Sequence, residues 1–237
     1  MNLQPISFIS DLHLSSGDLK RLEAFEFYCQ DLSVQFQKIF ILGDLFEYWI
    51  GSDVDALFQT RVLNALSAAS KNTQVYFLRG NREILIPKSI IESTGCIWLD
   101  DFSAVKLFGK NFVMCHGDRL CSNNKSHQHW LKLTCLLQAL PLTSVPLKFR
   151  LWCLKKLQKP NRKPLTTNNC IDQKQVINLI HKHKAHYFIH GHTHVPEITQ
   201  KHATKTAYTY ISLPSWDDQP CHFFFEADGS MTVENFR

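Results

Sequence analysis

The chain has 237 residues, 44% of them hydrophobic, and a net charge of +5. That length suits one sizeable domain with room for an insertion, and that composition excludes a disordered chain. No run approaches the ~20 apolar residues of a membrane span. Residues 1–5, Met-Asn-Leu-Gln-Pro, lack the basic start and cleavage signal of a secretory leader, so a cytoplasmic protein is expected.

Taken in chain order, the first 118 residues alternate short apolar runs with amphipathic stretches. Strands are predicted over 6–10, 38–42, 75–78 and 112–115. Between them Leu19, Leu22, Phe25, Tyr28 and Leu32 recur at helical spacing, as do Leu57, Val62, Leu66 and Ala69. This alternation predicts a layered α/β fold. Pro87 opens a short helix over 88–94, and Gly95 stands where a helix stop belongs.

The character changes after Asp118. Residues 119–171 hold ten Lys or Arg and no Asp or Glu, together with apolar runs over 130–142 and 149–154. They read as a helical insertion with basic and apolar faces. The core then resumes with a helix over 172–183 and a strand over 187–190. The tail alternates over 207–213 and 221–225 between turn residues, which predicts antiparallel strands that complete a sheet. The domain reading is thus a core of 1–118 and 172–237 with a cap of 119–171. The eight cysteines are scattered without a C-x-x-C pair, which predicts reduced, mostly buried thiols.

Five apolar runs end in the same way. They read Phe8-Ile9-Ser10-Asp11-Leu12-His13, Phe40-Ile41-Leu42-Gly43-Asp44, Phe77-Leu78-Arg79-Gly80-Asn81-Arg82, Val113-Met114-Cys115-His116-Gly117-Asp118 and Ile189-His190-Gly191-His192-Thr193-His194. In open α/β sheets ligands bind beyond the carboxyl ends of the strands. Five such endings therefore predict one shared polar site. Asp11 and His13 are two apart, which in an extended segment places both on one face, and His192 and His194 share that spacing. Carboxylates, imidazoles and one amide oxygen suit Mn²⁺, Fe²⁺ or Zn²⁺ better than Ca²⁺ or Mg²⁺. The donors suffice for two ions. Such a pair, about 3.5–4 Å apart, is the arrangement used for phosphoryl displacement. Taken singly, a Gly-Asp or a His-Gly-Asp is more often a plain turn; five in this order are not.

The order Asp-x-His, Gly-Asp, Gly-Asn-Arg, His-Gly-Asp, Gly-His-Thr-His resembles that of the calcineurin-like metallophosphoesterases. The resemblance implies a four-layer α/β/β/α sandwich with a helical cap insertion. It implies one metal on Asp11, His13, Asp44 and His194, and another on Asp44, Asn81, His116 and His192, with Asp44 bridging. The attacking group would be a hydroxide held between the metals, with Asn81, Arg82 and His116 in catalytic roles and Arg82 neutralising the phosphate.

A narrower resemblance rests on Ile9-Ser10-Asp11-Leu12-His13-Leu14, on Gly43-Asp44-Leu45-Phe46-Glu47-Tyr48-Trp49-Ile50-Gly51 with Asp53 after it, on His116-Gly117-Asp118-Arg119-Leu120-Cys121 and on His190-Gly191-His192-Thr193-His194-Val195-Pro196. These blocks are similar to those of the UDP-2,3-diacylglucosamine hydrolases of lipid A biosynthesis. That family cleaves the pyrophosphate of its substrate to UMP and 2,3-diacylglucosamine 1-phosphate with Mn²⁺. The resemblance implies substrate contacts at Arg82, Asn124, Asn161, Lys163, His192 and Trp49. It also implies two Mn²⁺ per chain, an acylated UDP-sugar as ligand, no nucleic acid, and a monomer peripheral on the cytoplasmic face of the inner membrane. A basic, apolar insertion suits acyl chains, phosphates and an anionic leaflet. The chain departs from the family pattern at Glu83, Asn123, Asn124, His127, Pro164 and Val195, none of them a metal ligand. Two readings compete: a related dinuclear phosphoesterase acting on a soluble nucleotide or nucleic acid, with the ten cations serving its phosphates, and a non-catalytic binder that kept the fold.

Overall fold

Along β1 (Ile6–Ile9) the side chains divide by parity. Ile6 and Phe8 enter one apolar cluster, and Ile9 enters another on the opposite face. Both faces are covered, so the strand reads as a continuous apolar run. The computed structural model describes residues 3–83, 85–121, 146–150, 170–204 and 206–236.

β1, β2 (Lys38–Leu42), β3 (Gln74–Leu78) and β4 (Ile97–Leu99) pair in parallel. Antiparallel β10 (Cys221–Phe225) and β11 (Met231–Asn235) extend them into the order β11-β10-β1-β2-β3-β4. The second sheet is built from β5 (Ser103–Leu107), β6 (Lys110–Cys115), β7 (Tyr187–His190), β8 (Glu197–Ala203) and β9 (Thr206–Ser212), in the order β5-β6-β7-β9-β8. Within it β6, β7 and β9 run parallel.

The two sheets face each other across Ile6, Phe8, Phe40, Leu42, Phe112, Met114, Ile189, Ile211 and Phe223. The first sheet is backed by α1 (Leu19–Phe27), which runs on into a π-helical turn at Tyr28–Leu32, by α2 (Ala56–Asn72) and by α3 (Lys88–Glu92). The second is backed by α4 (Gln173–His183), whose Val176 and Ile180 meet Val113, Phe188 and Tyr210. The four layers α/β/β/α are those expected. Asp18 accepts from Arg21 N at the start of α1, and Asp172 from Lys174 N and Gln175 N at the start of α4. These bonds satisfy donors that a helix end otherwise leaves open. No helix among the described residues is long and apolar enough to cross a membrane.

β4, β5, β8 and β11 have no counterpart among the predicted strands. Each is short or mostly exposed on at least one face, so its apolar pattern is weak. The cysteine expectation needs one correction. Cys29, Cys96, Cys115 and Cys221 are free and buried, but Cys121 and Cys170 form a disulfide. The cause is local: Cys121 pairs with Ile171 in an antiparallel bridge, which brings Cys121 and Cys170 side by side with Cα atoms 4.7 Å apart.

Phe8 joins the sheets. It is fully buried and stacks on Phe40 at 5.1 Å and on Phe112 of the other sheet at 6.2 Å. Phe8→Ala is expected to lower stability by about 3–5 kcal/mol through lost contacts and a residual cavity. Urea denaturation of the metal-free protein measures it, and a loss below about 1 kcal/mol would contradict this role for Phe8.

Candidate metal centre

All five clusters lie at carboxyl ends of parallel strands. Ile9 aligns with Ile41 and Leu42 with Leu78 in one sheet, and Cys115 with His190 in the other. The residues that follow therefore emerge on one edge of the sandwich. Two groups of donors converge there. Asp11, His13 and His194 form one, and Asp44, His116 and His192 the other, with the ligand atoms of each group within 4.8 Å of one another. Asn81 joins the second, its Oδ1 3.1 Å from His116 Nε2.

Local backbone geometry differs from the extended segments expected. Asp11, His13, Asp44, His192 and His194 take φ of 56°, 50°, 53°, 68° and 58°. Left-handed turns, not strand alternation, aim these side chains inward. Each carries a strain of order 1 kcal/mol that surrounding contacts must hold. Hydrogen bonds from Asp11 N to Gly43 O and from His13 N to Asp44 O, both 3.0 Å, provide part of that hold. Gly80 provides another. It packs against the second cluster so closely that an added Cβ would overlap Asp44 Oδ1.

Neighbouring groups fix which ring nitrogen faces the centre. His116 Nδ1 donates to Leu42 O at 2.9 Å, and His194 Nδ1 donates to Asp217 Oδ2 at 2.6 Å. Their Nε2 atoms are thereby turned inward, as in metal sites whose outer partners set the tautomer. With these rings neutral, lone pairs then meet without a donor between them. His116 Nε2 faces Asn81 Oδ1 and, at 3.5 Å, Asp44 Oδ1. His194 Nε2 lies 3.2 Å from His13 Nε2 and 3.4 Å from Asp11 Oδ1. Asp11 Oδ1 is buried with no hydrogen-bond partner, whereas its Oδ2 accepts from Ser10 Oγ and His192 N. An orphaned buried carboxylate oxygen among imidazole nitrogens is costly unless a cation fills the gap. The donor set fits divalent metals.

Protonation without metal points the same way. Burial opposes charge on Asp44, yet the His116 imidazole beside it outweighs burial and holds the carboxyl at about 2. Burial also opposes charge on His116, and Asp44 overcomes it, raising that imidazole well above its usual range. Burial opposes charge on His194, yet the Asp11 and Asp217 carboxylates beside it outweigh burial and raise it to about 10. Burial, followed by repulsion from His116, lowers His192 to about 4. At neutral pH protons thus hold places that a metal would take.

Arg82 lies beside the second group. Its backbone N donates to Asp44 Oδ1 at 2.9 Å, and its Nε is 3.6 Å from Asp44 Oδ2. Nη1 donates to Glu47 Oε1 at 3.1 Å and to the Tyr48 hydroxyl, with the guanidinium 4.9 Å from the Tyr48 ring centre. Three supporting residues escaped the sequence reading as part of the site. Asp217 orients His194. Glu47 reaches from Arg82 to within 3.4 Å of His13 Nδ1. Glu83, noted only as a departure, accepts from Asp44 N, Phe46 N and Gly80 N and so ties the second cluster to the third. A signal existed for Asp217. It follows Leu213-Pro214-Ser215-Trp216 after β9, a sixth strand end without the Gly or His of the other five. Trp49 needs a correction. It is 1% exposed and packs edge-on against Phe46, so its ring supports the loop from within the core and offers no face to a substrate. Asn124, Asn161 and Lys163 lie outside the described residues.

The model of the calcineurin-like phosphoesterase family matches residues 4–196. A UDP-2,3-diacylglucosamine hydrolase of Histophilus somni is 33% identical over 216 residues, covering 88% of this chain and 91% of its own. One of Coxiella burnetii is 30% identical, with 97% of each chain covered. The structure of an archaeal phosphodiesterase superposes with a TM-score of 0.51 at 12% identity, covering 98% of this chain and 99% of its own, a likeness of fold alone.

Because metal must displace ring protons, Mn²⁺ binding is expected to release protons and to weaken as pH falls from about 8 to 6, measured by titration calorimetry. Asp217→Ala is expected to weaken Mn²⁺ binding about 10–100-fold with an unchanged far-ultraviolet circular dichroism spectrum; an unaltered affinity would deny Asp217 its orienting role. By the match along most of its length, the chain belongs to the calcineurin-like phosphoesterases and, within them, to the family of the UDP-2,3-diacylglucosamine hydrolases.

Proposed function

We propose that this protein hydrolyses the pyrophosphate of UDP-2,3-diacylglucosamine, releasing UMP and 2,3-diacylglucosamine 1-phosphate in lipid A biosynthesis, with two Mn²⁺ as the resident metals. The observation that carries the reading is the pair of convergent donor groups, each holding one buried carboxylate, with the Arg82 guanidinium alongside. Relatives of that name, similar over most of both chains, support the choice of substrate.

Asp11, His13 and His194 would hold one ion, and Asn81, His116 and His192 the other, with Asp44 reaching both. When bound, two such ions supply an activated water and neutralise phosphoryl oxygens. The side chains do the rest. Glu83 accepts three backbone N–H groups and so keeps the turn that carries Asp44 in place. Glu47 and Tyr48 hold Arg82 with its fork near Asp44, where it would meet a phosphate oxygen and stabilise developing charge. Activation of water by metals requires no protein nucleophile, which fits a site lined by ligands and one cation. Residues 119–171, with ten cations and no acid, suit the acyl chains and phosphates of the substrate and the surface of an anionic leaflet. On this reading the protein works as a cytoplasmic monomer on the inner membrane.

Purified protein with Mn²⁺ is expected to release UMP from UDP-2,3-diacylglucosamine, to lose that activity on chelation and to regain it when Mn²⁺ is restored; no UMP from the metal-loaded protein would sink the reading. Asp44→Ala is expected to abolish turnover. Arg82→Ala is expected to cost about 10²–10³-fold in kcat/KM, the scale of one lost transition-state donor. Steady-state assays of UMP release compare them.

A further inference from the structure

His190 is a buried imidazole beside the metal centre that belongs to neither donor group. It ends β7, and by strand alternation its side chain shares the face of Phe188, toward α4. Its ring centre lies 5.5 Å from that of Phe188 and 5.1 Å from that of Tyr210. An imidazole among such side chains is costly unless its nitrogens are bonded. Here both are. Nδ1 donates to Gly191 O at 2.7 Å, and Nε2 meets the Tyr210 hydroxyl at 2.7 Å. A carbonyl can only accept, so the proton lies on Nδ1. In a neutral ring Nε2 then accepts from Tyr210, which thereby fixes the tautomer that the Gly191 carbonyl requires.

The bond to Gly191 O acts on one peptide unit. The carbonyl of that unit accepts from His190 Nδ1 and, at 2.8 Å, from Thr193 N. Its amide is His192 N, which donates to Asp11 Oδ2 at 2.8 Å. In a trans peptide the C=O and N–H point in opposite directions. His190 and Asp11 therefore hold one plane from two sides. A flipped peptide would turn its oxygen toward the Asp11 carboxylate and leave Nδ1 without an acceptor. The turn is also closely packed. Gly191 N donates to His116 O at 2.9 Å, and a Cβ on Gly191 would overlap Ser10 Oγ and Asp11 Oδ2. From this turn His194 enters the first donor group and His192 the second, with φ of 58° and 68°.

We propose that His190, held by Tyr210, is a positioning residue that locks the Gly191–His192 peptide and so sets how His192 and His194 are shared between the two donor groups. The inference rests on the reading that these groups hold metal, and it is independent of the substrate.

Calorimetric titration of the full, metal-free chain with Mn²⁺ tests it without turnover. The amide of Asn reaches as far from the backbone as Nδ1, and that of Gln as far as Nε2. His190→Gln is expected to weaken Mn²⁺ binding about 10–100-fold, the scale of a lost outer partner. His190→Asn keeps a donor for Gly191 O and should stay within about threefold of wild type. Packing alone would not separate these two variants, because both lose the ring. A loss in His190→Asn as large as that in His190→Gln, or no loss in His190→Gln, overturns the proposal. Tyr210→Phe keeps the packing and removes only the hydroxyl; binding about three- to tenfold weaker is expected, and an unaltered affinity refutes the part given to Tyr210. Amide hydrogen exchange of His192 and Thr193 in the metal-free protein gives a second readout. Faster exchange in His190→Gln than in His190→Asn is expected, and equal rates overturn the lock. If wild-type protein binds no Mn²⁺, the metal reading fails by itself, and exchange alone then decides whether His190 holds this peptide.

Discussion

Two carboxylates buried within a few ångströms of four imidazoles are the constraint on which the rest of this structure depends. Asp11 is fully buried and Asp44 nearly so. Neither can stay charged there without compensation, and protons on the neighbouring rings supply it only in part. Asp11 Oδ1 still lacks a donor. The fold tolerates such a concentration of unsatisfied lone pairs because metal binding is the state toward which it is built. The Leu42 and Asp217 bonds that turn two histidines inward have no evident purpose in a metal-free protein.

Holding that centre sets demands on the backbone. Five of the donor residues sit in the left-handed region, where side chains are normally disfavoured. Gly80 lets the second and third clusters touch, and Glu83 then bonds three amides across the contact. The Glu83 carboxyl group thereby joins amides of two separate loops. The departure at Glu83 from the family pattern is thus a structural member of the site.

Much of this was legible in the chain, for identifiable reasons. Strands buried on both faces, such as β2 and β7, announce themselves as unbroken apolar runs, and their ends coincide with the predicted ones. The convergent donors were legible because Gly, His and Asp are poor strand residues, so each marks where a strand stops. Edge strands such as β11 were not, since four of its five residues are exposed and their apolar pattern is thin. Asp217 was hidden because an orienting carboxylate needs no special spacing. Trp49 misled because a large aromatic residue inside a specific motif suggests a ligand surface, whereas here its bulk supports the loop. The pairing of Cys121 with Cys170 depended on a β-bridge between residues fifty apart, which no local pattern reveals.

The two donor groups have one further property. Asp11 and His13 follow β1 of the first sheet, whereas His194 follows β7 of the second; Asp44 follows β2, whereas His116 and His192 follow β6 and β7. Each ion would therefore be gripped from both halves of the sandwich, like a rivet through two plates. Elsewhere the plates are joined by apolar packing, which permits sliding; at this edge they would be joined by coordination bonds, which do not. Loading would then lend free energy to the folded state by mass action, and this edge, where five donor residues hold left-handed backbone, would stiffen when full.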